Sequence, residues 1–215
     1  MQKFFEGFTN PFSDPQSLIT ALIIAGGLAL LAVVLLALRK LKLDTRTLVI
    51  ASLCIAISFI LSYIRFYRMP YGGSVTPGSM LPIMLFAWYF GPIPGLAVGF
   101  VYGLLQFAQD GFNFSYGVME PVLDYFLAFG VLGLTGLFKK RLSLGIIVTG
   151  LLRYIMHVVA GIIFFYMYAE NQPVLVYSLL YNIFILPEIA ICLLIANIPP
   201  FKAALTQVFG RRATV

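Results

Sequence analysis

The stretch from Met69 to Gln109 contains no Asp, Glu, Lys or Arg, and it limits what this chain can fold into more than any other feature. Backbone groups in a lipid bilayer must pair within the chain, so long apolar segments are expected to cross the membrane as helices. Gly and Pro interrupt the stretch, which favours two short helices joined by a tight turn. The chain has 61% hydrophobic and 10% charged residues, against roughly 25% charged residues in a soluble domain, and is therefore predicted to be an all-α integral membrane protein.

Seven apolar segments of the sequence are predicted to form transmembrane helices. The first, at residues 17–38, is long enough at about 1.5 Å per residue to cross a hydrocarbon core of roughly 30 Å. The other six lie at residues 47–64, 80–90, 96–107, 118–138, 144–168 and 174–198. We therefore divide the chain into an N-terminal extension with the first helix and a basic linker, residues 1–45, a six-helix core, residues 46–200, and a basic cytoplasmic tail, residues 201–215.

Clusters of basic residues set the predicted orientation. Cytoplasmic loops of membrane proteins carry an excess of Lys and Arg. The linker after the first segment, the loop after residue 138 and the C-terminal tail are rich in both, and all three fall on one side if the segments cross in turn. We expect a multi-pass protein of the cell membrane, with its N-terminus outside and its C-terminus in the cytoplasm. This topology accounts for the net charge of +6 without a nucleic acid partner.

Arg153 and His157 form the centre of the candidate site, because they lie four residues apart and so share one helical face. A charged side chain in the bilayer core costs at least about 2.5–3.5 kcal/mol on insertion scales, so it usually faces a cavity, a counter-ion or a ligand. Asp124 is the expected counter-ion of Arg153, since it and Glu188 are the two acidic residues well inside apolar segments. The simpler alternative is an ion pair that only joins two helices. The role of Glu188, as a proton site or in contact with a partner protein, stays open.

Aromatic side chains are frequent around the same segments. Such rings stack on flat heteroaromatic or cationic solutes, at about 0.5–2 kcal/mol for each cation–π contact. Tyrosines also gather at membrane interfaces as anchors, and this alternative applies to each of them. Asn182 adds an amide that can pair with the edge of a heterocycle or with another helix. The aromatic candidates are Tyr102, Phe114, Tyr116, Tyr125, Phe165, Tyr177 and Tyr181.

The sequence contains no motif for covalent catalysis. The single histidine has no recognisable nucleophile beside it, metal-ligand spacings such as HExxH do not occur, and the phosphate loop GxxxxGK[ST] is missing. We expect a protein that is not an enzyme and that needs no cofactor or metal. Energy for any transport would come from an ion gradient or from another subunit.

Three segments carry a family resemblance: DYFLAFGVLGLTGLF at residues 124–138, RYIMHVVAGIIFF at residues 153–165, and VYSLLYN at residues 176–182. They resemble the thiamine-specific substrate-binding (S) component of energy-coupling factor (ECF) transporters, with weaker similarity from residue 48 to residue 198. The resemblance implies high-affinity binding and uptake of thiamine, or of a closely related heteroaromatic vitamin or precursor. It also implies two kinds of partner, an ECF transmembrane subunit and two ATPase subunits. The predicted helix at residues 17–38 has no counterpart in it.

The resemblance also implies roles for single residues. Asp124 stands in the place of a carboxylate that binds the ligand. Arg153 stands where the family has a lysine, and Phe165 where it has a tryptophan, while Tyr102 is a looser match to another tryptophan. An outer-loop carboxylate of the family falls near Pro77, which cannot replace it. The residues that match the family directly are Tyr125, His157, Tyr177 and Asn182.

Two other functions stay open on the sequence alone. One is a self-sufficient proton-coupled carrier of small solutes, with Asp124 or Glu188 as the proton site. Uptake by the isolated chain under a pH gradient would favour that function. The other is a membrane scaffold that binds no solute, and the lack of a cavity near His157 would favour it.

Overall fold

The structure is a computed structural model that describes residues 44–70 and 72–209. The predicted helix at residues 17–38 lies outside these residues, as do most of the basic linker and the end of the basic tail. The fold is therefore given for the predicted core and for the first part of the tail.

Helix α1, Thr45–Tyr63, begins the described part of the chain. Asp44 caps its N-terminus, because its carboxylate accepts a hydrogen bond from the backbone N–H of Thr47 at 3.0 Å. An antiparallel hairpin follows, with β1 at Tyr67–Met69 and β2 at Gly72–Val75. The sequence predicts only a loop here, because strands this short leave too little alternation to be recognised.

The charge-free stretch contains helix α2, Leu81–Phe90, and helix α3, Pro92–Gln109. Gly91 alone separates them, with a φ angle of +101° that side chains other than glycine rarely adopt. The two short helices with a tight turn are as predicted. Helix α3 begins at Pro92 rather than at residue 96, because a proline in the first helical turn removes no hydrogen bond of the helix.

Helix α4, Met119–Leu137, is irregular along most of its length. It contains a π-helical turn at Val122–Leu127 and a 3-10 segment at Val131–Leu137. Helix α5, Leu142–Phe164, is regular, and a 3-10 turn at Tyr166–Ala169 takes the place of its predicted last turn. The helix that carries Asp124 is therefore the least regular of those that line the candidate site.

Helix α6, Val174–Asn197, contains a 3-10 turn at Asn182–Phe184 in its middle. Helix α7, Pro199–Phe209, follows directly. It begins at the double proline where the predicted transmembrane core ends, so the first part of the basic tail is helical. Proline is well placed in both positions at the start of α7, because the first N–H groups of a helix have no intrahelical partner.

Helices α3 and α4 pack with their backbones in contact, and glycine makes this possible. A Cβ atom on Gly99 would lie 2.5 Å from the backbone oxygen of Phe129, and one on Gly133 would lie 2.1 Å from the backbone nitrogen of Leu96. Real side chains do not approach this closely, so glycine is required at both positions. Small residues allow the same close packing in other membrane helices. Helices α3 and α4 thus form one continuous wall of the bundle.

Four of the described helices, α1, α4, α5 and α6, are long and apolar enough to cross a membrane. Large apolar side chains are exposed on their outer surfaces, among them Leu53, Ile60 and Leu194. An exposed apolar surface of this extent is typical of contact with lipid. The protein is therefore an all-α, multi-pass membrane protein, as predicted. Each apolar segment predicted from residue 47 onward coincides with a helix in the part of the chain that the structure covers.

Candidate ligand-binding cavity

A cavity of about 330 Å³ lies inside the bundle, lined by residues of α1, α3, α4, α5, α6 and the hairpin. Its volume is at the lower end of the roughly 300–1,000 Å³ of small-molecule sites. Tyr102 and Glu188 are fully buried and form its base. Arg65, Asp110 and Tyr168 are more accessible and line its mouth. The mouth therefore lies at the end of the bundle that carries the hairpin.

The π-helical turn of α4 directs two neighbouring residues, Asp124 and Tyr125, to the cavity. Such turns are rare and occur frequently at functional sites. An oxygen of Asp124 lies 2.6 Å from Nδ1 of His157, and the hydroxyl of Tyr125 donates a hydrogen bond to Asp110 at 2.9 Å. The turn thus connects both side chains to polar groups on other parts of the chain.

Arg153, His157 and Asp124 form a continuous hydrogen-bonded chain. Nε of Arg153 donates to Nε2 of His157 at 3.3 Å. Because Nε2 accepts this bond, the proton of the neutral imidazole lies on Nδ1, which donates to Asp124. Arg153 and His157 share a helical face as predicted, and Asp124 meets that face from α4.

The counter-ion predicted for Arg153 is wrong. Nη1 of Arg153 lies 3.7 Å from a carboxylate oxygen of Glu188, whereas Asp124 pairs with His157. His157 lies one helical turn beyond Arg153 and reaches the carboxylate of α4 first, which leaves Arg153 to the carboxylate of α6. Glu188 also accepts hydrogen bonds from the hydroxyls of Thr76, at 2.5 Å, and Ser79, at 2.9 Å.

The guanidinium of Arg153 also lies over the ring of Phe129, with 4.2 Å between its Cζ atom and the ring centroid. A cation in this position is attracted by the electron-rich face of the ring. Arg153 therefore has an ion pair, an imidazole and an aromatic face as neighbours. These contacts explain how the bundle holds a buried cation.

Asn182 lies in the 3-10 turn of α6 and lines the cavity. Its amide nitrogen donates to the backbone oxygens of Ser178, at 2.9 Å, and His157, at 3.3 Å. The donors of the amide are thus used within the protein, and its oxygen is the group left to accept a hydrogen bond.

Six of the seven aromatic candidates line the cavity: Tyr102, Tyr116, Tyr125, Phe165, Tyr177 and Tyr181. The hydroxyl of Tyr102 donates to the backbone oxygen of Ser58 at 3.2 Å, so this ring is fixed at the base. The ring of Phe165 packs on Tyr116, with 4.6 Å between centroids. The predicted aromatic wall therefore exists around the polar chain.

Phe114 is the candidate that the structure does not place in the cavity. It is 53% exposed, and its ring packs edge-on against Phe107 with 5.0 Å between centroids. The residue lies in the turn between α3 and α4, where its ring covers the buried ring of Phe107 near the end of α3. The sequence placed it by proximity along the chain, which does not determine the direction of a side chain in a turn.

Several polar groups that line the cavity were not predicted, and Tyr116 was predicted only as an aromatic ring. Glu120 is 4% exposed and lies four residues before Asp124, so helical spacing could have indicated it. Tyr116 and Tyr168 join across the mouth through their hydroxyls. This hydrogen bond, with burial, raises the pKa of Tyr116 to about 12, so the phenol stays neutral. The other groups are Arg65, Arg68, Asp110 and Asn113, which lie in or near turns and carry no periodic signal.

The class of the protein follows from the fold and the cavity together. An all-α membrane protein with a cavity of this size, lined by aromatic rings and by carboxyl, imidazole and amide groups, has the architecture of a membrane protein that binds small organic solutes.

Comparisons with known proteins agree with this class. A sequence profile of the family described as thiamine transporter protein (Thia_YuaJ) matches residues 48–208. The chain is 35% identical over 157 residues to thiamine transporter ThiT of Bacillus subtilis (strain 168), across 62% of this chain and 81% of that protein. It is 28% identical over 166 residues to thiamine transporter ThiT of Lacticaseibacillus paracasei, across 67% of this chain and 79% of that protein.

This chain therefore belongs to the thiamine transporter protein family, and the predicted resemblance to thiamine-specific S components is confirmed. A solved structure of ThiT from Listeria monocytogenes has a TM-score of 0.67 and 22% identity, across 77% of this chain and 99% of that one. At this identity the likeness supports the fold. The family match begins at residue 48, so the predicted first helix lies outside it, as it lies outside the resemblance.

Proposed function

We propose that the cavity binds thiamine, or a closely related heteroaromatic precursor, and that the protein is the binding subunit for its uptake. One observation carries the proposal: the chain of Arg153, His157 and Asp124 ends in a carboxylate inside a cavity of about 330 Å³ with aromatic walls. The names of the relatives give the solute, and the cavity offers groups that suit its chemistry.

Thiamine has an aminopyrimidine ring, a thiazolium ring with a permanent positive charge, and a short bridge between them. The amine of the pyrimidine donates hydrogen bonds, and two acceptors suit it, the carboxylate of Asp124 and the amide oxygen of Asn182. Rings of Tyr125, Phe165 and Tyr177 can stack on the two heterocycles, with about 0.5–2 kcal/mol from each cation–π contact. The Asp124 side chain is held by His157, so its position is set before the ligand binds.

Binding alone moves no solute across a membrane. Since the sequence has no phosphate loop for ATP, we assign energisation to a separate ECF transmembrane subunit with two ATPase subunits. The basic clusters favour a mouth on the outer side, with the N-terminus outside and the C-terminus in the cytoplasm. In this arrangement residues 46–200 are the binding core, and residues 1–45 are an extension of it.

Calorimetric titration of the purified full-length protein with thiamine tests the binding step. Fluorescence is a poorer probe, because the single tryptophan, Trp88, donates to the backbone oxygen of Phe138 at the other end of the bundle. Asp124→Ala should weaken binding about 10- to 100-fold, as expected for a hydrogen bond to a charged group. Glu170→Ala removes an exposed carboxyl group that does not line the cavity and serves as the control. Lack of any thiamine heat from the wild type, or unchanged affinity of Asp124→Ala, contradicts the proposal.

Proteoliposomes test the source of energy. The isolated chain under a pH gradient should accumulate no thiamine, whereas addition of an ECF module and internal ATP should produce uptake. Asp124 and Glu188, the candidate proton sites of a self-sufficient carrier, both form hydrogen bonds within the protein, so proton transport would have to break these contacts. Accumulation driven by the pH gradient alone would favour that carrier.

A further inference from the structure

Glu120 is a nearly fully buried carboxyl group that has no hydrogen-bond or ion-pair partner in the part of the chain that the structure describes. It lies in the first turn of α4, is 4% exposed, and lines the cavity. Within residues 44–70 and 72–209, no hydrogen bond or ion pair is formed by its carboxyl group. A buried carboxylate is unfavourable unless a donor or a cation completes its surroundings. The small part of the Glu120 side chain that stays accessible therefore faces the cavity and any ligand bound in it.

The other carboxyl groups of the cavity have partners. Asp124 pairs with His157, Asp110 accepts from Tyr125, and Glu188 lies beside Arg153. None of the three arginines that line the cavity, Arg65, Arg68 and Arg153, forms an ion pair with Glu120 in the described chain, and the ion pair of Arg153 is with Glu188. Among the described residues, Glu120 is therefore an acidic group of the cavity for which the protein supplies no direct partner.

We propose that Glu120 is a second anionic contact for the ligand, and that it makes the cavity select a cationic ring over a neutral ring of the same shape. The proposal rests on the proposed function and names the part of the ligand that Glu120 contacts. The ligand class is a heteroaromatic cation, here the thiazolium of thiamine.

The spacing of the two carboxyl groups fits a ligand with two linked rings. Glu120 and Asp124 are four residues apart, which places them about one helical turn from each other on the same side of α4. Asp124 lies about one turn further along α4, where it meets His157, and Asn182 contacts the backbone of His157 and offers a second acceptor to a donating amine. Glu120 lies about one turn closer to the start of α4, toward the turn that carries Asp110 at the mouth. A cation there also reduces the mutual repulsion of neighbouring carboxylates.

The experiment measures selectivity, so that a general loss of affinity does not imitate the result. The probes are thiamine and 3-deazathiamine, a neutral analogue with carbon in place of the thiazolium nitrogen. Glu120→Gln keeps the size of the side chain and removes its charge, Glu120→Asp keeps the charge, and Glu170→Gln is the matched control at an exposed site. Each full-length variant is titrated with both probes by calorimetry.

We expect Glu120→Gln to bind thiamine about 10-fold or more weakly and to bind 3-deazathiamine within about twofold of the wild type. Glu120→Asp should keep most of the preference for the cation, and Glu170→Gln should behave as the wild type. Equal weakening for both probes would show a structural role for Glu120 and overturn the proposal, as would unchanged thiamine affinity. A wild type that binds neither probe would instead refute the proposed function on which this inference rests.

Discussion

Glu188 and Glu120 are almost equally buried, at 1% and 4% exposure, and line the same cavity in opposite surroundings. Glu188 accepts hydrogen bonds from Thr76 and Ser79 and lies 3.7 Å from the guanidinium of Arg153. Glu120 has no such partner within the residues that the structure covers. Burial by itself therefore does not indicate what a carboxyl group does in this membrane protein.

The number of protein partners distinguishes a buried carboxyl group with a structural role from one that is available to bind a ligand. The contacts of Glu188 join the segment after the hairpin to α6 and, through Arg153, to α5. Removal of such a group leaves its partners unsatisfied. Removal of Glu120 leaves no hydrogen-bond or ion-pair partner unsatisfied among residues 44–70 and 72–209. The two residues should therefore respond to substitution with opposite signs in stability.

The largest effect is expected for Glu188→Leu. The substitution leaves the buried cation of Arg153 without its counter-ion, which costs about 3–5 kcal/mol in comparable buried pairs. Thermal unfolding of the detergent-solubilised protein measures the loss. The double variant Arg153→Met with Glu188→Leu is the control, because it leaves no charge unpaired and should recover much of the stability. If Glu188→Leu alone were as stable as the wild type, Glu188 would have no structural role as the counter-ion of Arg153.

Glu120→Leu should have the opposite effect on the ligand-free protein. Exchange of an unpartnered buried carboxyl for an apolar side chain should stabilise the fold by about 1–3 kcal/mol. The same variant should gain less thermal stability from added thiamine, since ligand stabilisation follows affinity. Differential scanning measurements with and without thiamine check both changes. A lower melting temperature in the absence of ligand would mean that Glu120 has a structural role after all.

Phe165→Trp should tighten thiamine binding, because tryptophan offers a stronger cation–π face than phenylalanine. The expected gain is about 0.5–1 kcal/mol, or roughly two- to fivefold in the dissociation constant. Calorimetric titration gives the value, and Phe114→Trp provides the same exchange at a ring outside the cavity. Weaker binding by Phe165→Trp would indicate that this ring does not lie against the ligand.

The smallest effect is expected for Phe114→Ala. Its half-exposed ring packs on Phe107 and does not line the cavity, so its removal should change thiamine affinity by less than about twofold. The same titration measures it. A loss of tenfold or more would place Phe114 in contact with the ligand, contrary to the geometry of the turn that carries it.

The sequence was sufficient where the signal was local. Arg153 and His157 share a face because of their four-residue spacing, and the apolar segments predicted the helices of the described chain. The pairing of charged side chains between different helices could not be predicted from the sequence. Whether Asp124 or Glu188 meets Arg153 depends on the depth and rotation of α4 and α6, and these come from packing across the whole bundle.

The irregular backbone segments could not be predicted from the sequence either. Nothing in the residues of Val122–Leu127 distinguishes a π-helical turn from an α-helical one, yet this turn brings Asp124 and Tyr125 to the same cavity. The hairpin had no alternating pattern long enough to recognise. Glu120 could have been predicted, because it lies one helical turn before Asp124 and so faces the same side of the helix.

The glycine contact between α3 and α4 has a consequence for redesign of the cavity toward bulkier vitamins. Where Gly99 and Gly133 meet the opposite backbone, no rotamer change can create space, because main-chain atoms and not side chains set the separation. Space for a larger ligand must therefore come from smaller side chains at other positions, such as Phe165 just after α5 or Tyr177 on α6, while the separation between α3 and α4 stays fixed.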